Sequence, residues 1–482
     1  TKLYDIFYTV LNRTVEKESN ERVPQVTVEK DTYSLEDMIL SLSSRVRRGE
    51  SLYFRPEEEV NKREKERKFK MIENVTGRIA RDLEYLKQFT ATPGDGCTRL
   101  PFTKEARNAV DFLKELMVEA GLSVREDEAG NVIGTLEGEN PELPCIMMGS
   151  HFDSVINGGD YDGIAGVVCA IEVARQLKDA GFKPKRNFVV VGFMDEEGLR
   201  FGTGYFGSGA MMGHRDVEYC KHYKDNDGIS IYDAMKSYGL DPEKIADAAW
   251  KEGSIGKFLE LHIEQGPVLD AEGIELGLVN GIVGIQRYMV TVHGRADHAG
   301  TTPMDMRLDA VDAATKVISK IPDWAREKAD GTVATTGLIK VTPGGMNIVA
   351  ERVDFTVDIR SMNNDNINDI ANRIRAALDR EVKAMGGSYE IDTKLVITPV
   401  FLSEEMLGIM EESCKEREYS YKRLPSGAGH DALEIGQIIP TVMLFVPSKD
   451  GRSHCPVEFT KYSDFAKASI VMTDLAKDLL SK

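Results

Sequence analysis

A chain of 482 residues, 41% hydrophobic and 29% charged, has the composition of a globular protein and is too long for one ordinary core, so more than one domain is expected. Its formal net charge of −18 argues against a nucleic-acid partner, whose phosphates the overall field would repel. With no apolar run of about 18 residues and no charged-then-apolar leader, the expectation is no membrane span and a cytoplasmic location, and six scattered cysteines without a CxxC pair read as free thiols.

Residues 1–76 read as a helical extension: "DTYSLEDMILSLSSRVRRGE" is amphipathic, with Ser34 as a cap, and "RPEEEVNKREKERKFKMIENV" is a charge-dense, solvated helix. An α/β alternation follows. "TKEARNAVDFLKELMVEAG" is a helix closed by Gly121, "NVIGTLEG" and "CIMMGS" are strands, "GIAGVVCAIEVARQLKDAG" is a helix, and "NFVVVGFMDEEG" is a strand ending in acids. Strands alternating with helices of this length predict a mostly parallel sheet covered by helices, with sites at the carboxyl ends of the strands.

From 283 to 403 the order is strand ("GIQRYMVTVHGRADH"), helix ("DMRLDAVDAATKVISKI"), two strands ("TVATTGLIKVTPGG", "ERVDFTVDIR"), helix ("INDIANRIRAALDREVKAMGG") and strand ("YEIDTKLVITPV"). This is the pattern of a small α+β, ferredoxin-like sheet with two helices on one face. The first unit then resumes with "TVMLFVP" and a C-terminal helix. The expected fold class is therefore α/β with an inserted α+β domain: extension 1–76, larger domain in two parts at 77–282 and 404–482, insert at 283–403.

"GSHFDSVINGGDYDG" places His151 where a buried strand should end, with Asp153 two residues on and Asp162 in a glycine-flanked turn. A plain turn accounts for the glycines and for Asp160, but not for His151. Of eight histidines, His151, His262 ("LELHIEQGP"), His298 ("GRADHAGTTP") and His454 ("GRSHCP") sit among glycines, acids and turn residues at apparent strand ends. Each alone reads as a structural histidine; together with "DEEG" they read as a site for divalent metal, which favours imidazole and carboxylate ligands. Two neighbouring ions need a bridging carboxylate, which Asp162 is placed to supply. Asp153 suits a carboxylate that fixes the His151 tautomer. Adjacent Glu196 and Glu197 point different ways, so one binds metal and the other faces the attacking water; the spacing leaves open which.

The motifs "GSHFDSVINGGDYDG", "DEEGLRFG", "HIEQGPVL", "HAGTTPMDMRLDA", "SGAGHDA" and "SHCPVEF", in this order, resemble the dinuclear-metal amidohydrolase branch of the M20 peptidase-like superfamily, which holds N-carbamoyl-L-amino-acid hydrolases, allantoate amidohydrolases and β-ureidopropionases. The resemblance spans about residues 77–482. It implies His151, Asp162, Glu197, His262 and His454 as ligands of two divalent ions (Zn²⁺ or Mn²⁺, with Co²⁺ or Ni²⁺ as further options) and Glu196 as the general base. It also implies that the insert is a lid and homodimerisation surface, and that His298 stabilises the oxyanion. Gln265, Arg287, Asn347 and Arg360, with the backbone of Gly427 and Ala428, then contact the substrate, and Asp431 is structural. Arg360 suits a carboxylate because a guanidinium donates two parallel hydrogen bonds. The implied substrate is a small ureido carboxylate, first an N-carbamoyl-L-amino acid, then allantoate, with a metallo-aminopeptidase or dipeptidase third. A catalytically silent binding protein would lack a ligand or the base, and none is missing. The N-terminal residues have no counterpart in the resemblance.

Overall fold

Alternation along the strands lets one sheet carry two cores. In β3 (Cys145–His151), Ile146 and Met148 face one apolar cluster while Cys145 and Met147 face another. The same parity holds in β4 (Phe188–Phe193), where Val190 opposes Val189 and Val191. Both strands are buried throughout, as expected for a sheet covered on both faces.

The computed structural model describes residues 56–482, with side chains from residue 70 onward, and Lys68–Lys482 pack as one unit. The helix expected at 31–50 lies outside the described residues. Among them no helix is long and apolar enough to cross a membrane. The chain runs α1 (Pro56–Leu86), α2 (Lys104–Ala120), β1 (Ser123–Glu126), β2 (Val132–Leu136), β3, α3 (Ile164–Asp179), β4, β5 (Ile255–Ile263) and β6 (Leu276–Ile282). A second stretch holds β7 (Gly284–His293), α4 (Ala310–Ile318), β8 (Val333–Thr335), β9 (Ile339–Thr342), β10 (Arg352–Ser361), α5 (Asn364–Ala384) and β11 (Ser388–Ile397). It closes with β12 (Val400–Phe401), α6 (Glu404–Arg417), β13 (Tyr421–Ser426), β14 (Thr441–Val446) and α7 (Tyr462–Leu480), and shorter helical turns lie between these elements.

The larger sheet has nine strands in the order β1-β2-β4-β3-β5-β14-β6-β12, with β13 on β6. Its four central strands, β4-β3-β5-β14, are parallel, β13 runs parallel to β6, and the remaining flanking pairs are antiparallel. α3 packs against α2 and α7 on one face. The other face is closed by the short helices Phe206–Met211 and Asp431–Ile435, whose Met211, Ala432 and Leu433 join its core.

The smaller sheet, order β11-β7-β10-β8 with β9 on β10, is antiparallel throughout and shares its own core with α4 and α5. The run "TVATTGLIKVTPGG" is two short strands rather than one. The larger sheet resumes at β12, three residues before 403, and α1 passes residue 76 as one continuous helix.

Candidate metal centre and active site

The carboxyl ends of the four parallel strands deliver the chemistry. His151 is the last residue of β3 and pairs in register with Phe193, the last of β4; His262, the penultimate residue of β5, pairs with Phe445 of β14. Asp195, Glu196 and Glu197 follow β4, and His454 lies in the loop after β14. Asp162 closes the loop between β3 and α3, its carbonyl accepting the Ile164 amide at 2.7 Å beside the positive end of that helix.

Tautomers are set by the outer nitrogens. His262 Nδ1 lies 2.9 Å from the Ile263 carbonyl and so carries the proton, leaving Nε2 to face Asp162 Oδ1 at 3.1 Å. His151 Nδ1 lies 3.2 Å from the Asp153 carbonyl and 3.4 Å from its carboxylate, so Nε2 faces Asp162 (3.6 Å) and Glu196 (3.8 Å). His454 Nε2 stands between Asp162 Oδ2 (3.2 Å) and Glu197 Oε1 (3.3 Å). Asp153 also fixes the acid turn, because its carboxylate accepts the backbone amides of Glu196 (3.1 Å) and Glu197 (3.2 Å).

Three triads thus have ligand atoms within 4.8 Å of one another: His151–Asp162–His262, His151–Glu196–Glu197 and Asp162–Glu197–His454. Asp162 is shared by two of them through different oxygens, the geometry a bridging carboxylate requires. Asp162 Oδ1 and Glu197 Oε1 are buried without a hydrogen-bond donor, which a cation would satisfy. The donor set, imidazole nitrogen and carboxylate oxygen, suits Zn²⁺, Mn²⁺ and their neighbours. The residues present fit a metal pair.

The electrostatics agree. Burial opposes charge on His151, yet the carboxylates of Glu196, Asp153 and Asp162 hold it well above the ordinary imidazole value. The Asp162 and Glu197 carboxylates beside its Nε2 push His454 up to about 11. Burial raises Asp162, but His262, His151 and His454 outweigh it and hold the carboxyl well below its usual range. Burial lifts Glu196 well above its usual value, with Glu197, Asp431 and Asp153 adding to the effect. Such crowding of opposite charges among buried side chains marks functional sites. Backbone strain collects there as well: Asp195, Gln265 and His454 are left-handed at φ 59°, 58° and 55°. Gly163, at φ 65°, admits the His151 ring, for a Cβ there would fall 2.2 Å from it.

The remaining expected residues divide into two places. Gln265 donates to Asp162 Oδ2 at 2.7 Å, beside the triads. Arg360 donates to the Gly427 carbonyl at 2.7 Å, so the smaller sheet reaches the "SGAGHDA" loop that also holds Ala428. Arg287 and Arg360 both pair with Asp358. Asp431, fully buried, opens the short helix that follows that loop. His298 and Asn347 lie elsewhere, joined to each other by the Ala299 amide on the Asn347 carbonyl and by a bridge between His298 and Ile348. They sit past the His293 end of β7, whereas Arg360 pairs with Ile285 at its start. A strand of that length spans about 30 Å. His298 Nδ1 accepts the amides of Gly300 (3.0 Å) and Thr301 (3.2 Å), so its Nε2 is a hydrogen-bond donor.

Sequence reasoning passed over Asp358, Ser453 and Glu458. The last two stood inside the quoted "SHCPVEF" motif, so a signal existed.

A family model described as peptidase family M20/M25/M40 matches residues 143–478. The chain belongs to this family. Within M20 its similarity is to amidohydrolases. It is 41% identical over 402 residues (83% of this chain, 97% of the relative) to an N-carbamoyl-L-amino-acid amidohydrolase of Paenarthrobacter aurescens. It is 37% identical over 402 residues (83% and 97%) to an allantoate amidohydrolase of Bacillus subtilis. Among solved structures, an amidase of the hydantoinase/carbamoylase family from Burkholderia multivorans superposes with a TM-score of 0.78 at 30% identity, covering 84% of this chain and 98% of that one. The M20 chain is an amidohydrolase.

Proposed function

We propose that this M20 amidohydrolase uses two divalent metal ions to cleave the carbamoyl C–N bond of an N-carbamoyl-L-amino acid, releasing ammonia and carbon dioxide. The observation that carries the reading is Asp162 standing between two ligand triads with Glu196 beside them. His151, Asp162 and His262 would hold one ion; Asp162, Glu197 and His454 the other. Bound there, the ions supply Lewis acidity, an acidified water and positive charge to offset the crowded carboxylates.

Glu196 takes the proton of the attacking water and returns it to the departing nitrogen, the two halves of general acid–base catalysis. Its turn is held rigid by Asp153. Arg360 and Arg287 receive the substrate carboxylate. Asp358 already neutralises one of their two charges, leaving a single positive charge for a single carboxylate. The Nε2–H of His298 donates to the carbonyl oxygen as charge develops on it. Because His298 lies a strand's length from Arg360, we assign that donor to the partner subunit of a homodimer joined through the smaller sheet, with Asn347 beside it. Six free cysteines support a reducing compartment, and we place the enzyme in the cytoplasm.

A second reading, allantoate hydrolysis, is favoured by the Bacillus subtilis relative and by a substrate that likewise offers a carboxylate and a ureido group. The deciding experiment follows ammonia release from Mn²⁺- or Zn²⁺-loaded protein with N-carbamoyl-L-amino acids, N-carbamoyl-β-alanine and allantoate, and free amine from dipeptides. Turnover of carbamoyl-L-amino acids is expected. Turnover of allantoate alone would replace the first reading by the second, and cleavage of dipeptides alone would sink both.

A further inference from the structure

Glu458 has no part in the chemistry above, yet it touches the Asp162 backbone and the hydroxyl of Ser453, the residue before His454. It is 6% exposed, in the loop between β14 and α7. Its Oε1 accepts the backbone amides of Tyr161 (3.0 Å) and Asp162 (3.1 Å), and its Oε2 accepts the Ser453 hydroxyl (2.7 Å). Ser453 Oγ also lies 2.9 Å from Asp162 Oδ2, and His454 is the next residue. Gly159 makes room, since a Cβ there would fall 2.0 Å from the Glu458 carboxylate. One buried side chain therefore ties the Asp162 turn to the His454 loop.

We propose that Glu458 is a positioning residue that seats His454 against Asp162 and so sets the affinity of the second metal position, formed by Asp162, Glu197 and His454. This rests on the dinuclear reading given above. The effect is asymmetric because the ligands of the first position have other anchors. His151 ends a buried strand, His262 lies in the buried carboxyl half of β5, and Asp162 is held by the start of α3 and by Gln265. His454 is half exposed on left-handed backbone; its ring meets Asp162 and Gln265 directly, while the loop that carries it is tied to the Asp162 turn through Ser453 and Glu458. Releasing Glu458 loosens the second position and spares the first.

The role is one of position rather than charge, which the amide analogue separates. In Glu458→Gln the carbonyl oxygen still accepts both backbone amides, and the NH₂ donates to Ser453 Oγ, which turns its own proton to Asp162. Glu458→Ala removes the tie.

The test titrates the full-length metal-free protein with Zn²⁺ by calorimetry, with bound metal counted by elemental analysis. The wild type is expected to take two ions. Glu458→Ala should keep the first affinity and lose about 10- to 100-fold in the second, the usual cost of removing a residue that orients a ligand. Glu458→Gln should stay near wild type. Ser453→Ala, which cuts only the arm to the His454 loop, should weaken the second ion alone and serves if Glu458→Ala does not fold. Equal loss of both ions in these variants, unchanged binding of both, or a Glu458→Gln as poor as the alanine would overturn the proposal. A wild type that takes one ion would instead overturn the dinuclear reading beneath it.

Discussion

His454 shows what a single side chain contributes. In the metal-free fold Asp162 and Glu197 push its pKa up to about 11, so it is protonated at neutral pH, whereas a metal ligand must be neutral. If His454 is a ligand as proposed, loading the second position must expel that proton, and the raised value means affinity climbs as pH rises toward it. Calorimetric titration at about pH 7.5 in two buffers of different ionisation enthalpy should show about one proton released that disappears in His454→Asn. Identical release in that variant would remove His454 from the ligand set. Residues of this kind stand out in the bare sequence only as a set, because each histidine alone reads as structural and only together with "DEEG" do they suggest ligands. Glu458 does not stand out. It stands inside the quoted "SHCPVEF" motif, but nothing in those letters says what it touches until the fold lays it against the amides of Tyr161 and Asp162.

At the scale of elements, α3 is buried along nearly its whole length, including Glu172 and Arg175. α1 answers both charges: Arg78 grips Glu172 through Nε (2.9 Å) and Nη2 (2.5 Å), and Asp82 accepts from Arg175 at 2.6 Å. α1 thus clamps the helix whose first turn follows Asp162. Arg78→Ala would leave Glu172 buried without that partner and should cost about 3 kcal/mol. The check is the urea midpoint at unchanged m-value, and a loss under about 1 kcal/mol would mean α1 contributes no clamp. Periodicity announced these helices and most of the strands. It gave no mark of a border at residue 76, since α1 runs as one helix on both sides of it. The break between β8 and β9 was equally silent, because "TTG" reads as strand or turn alike.

For the whole molecule, the issue is where His298 acts. Its motif was readable, but a motif does not say whose active site it serves, and that depends on a distance set by the full length of β7. If the partner supplies it, inactive Glu196→Gln and inactive His298→Ala chains should complement when co-expressed. A mixed dimer then holds one site with both residues intact, and random pairing restores about a quarter of wild-type turnover. No recovery would place His298 in its own chain's site, reached by domain closure.

The two crossings between the sheets lie side by side. β6 ends at Ile282 where β12 begins with its partner Val400, and β7 and β11 meet at Ile285 and Ile397. Ile282 and Val400 are therefore antiparallel neighbours one tight turn away from being a hairpin. Everything between them, with its separate core, is an appendix that could be cut out and the ends joined by an Asn-Gly turn. What would remain keeps the five proposed metal ligands and loses Arg287, Arg360 and His298, and with them the groups proposed to select the substrate.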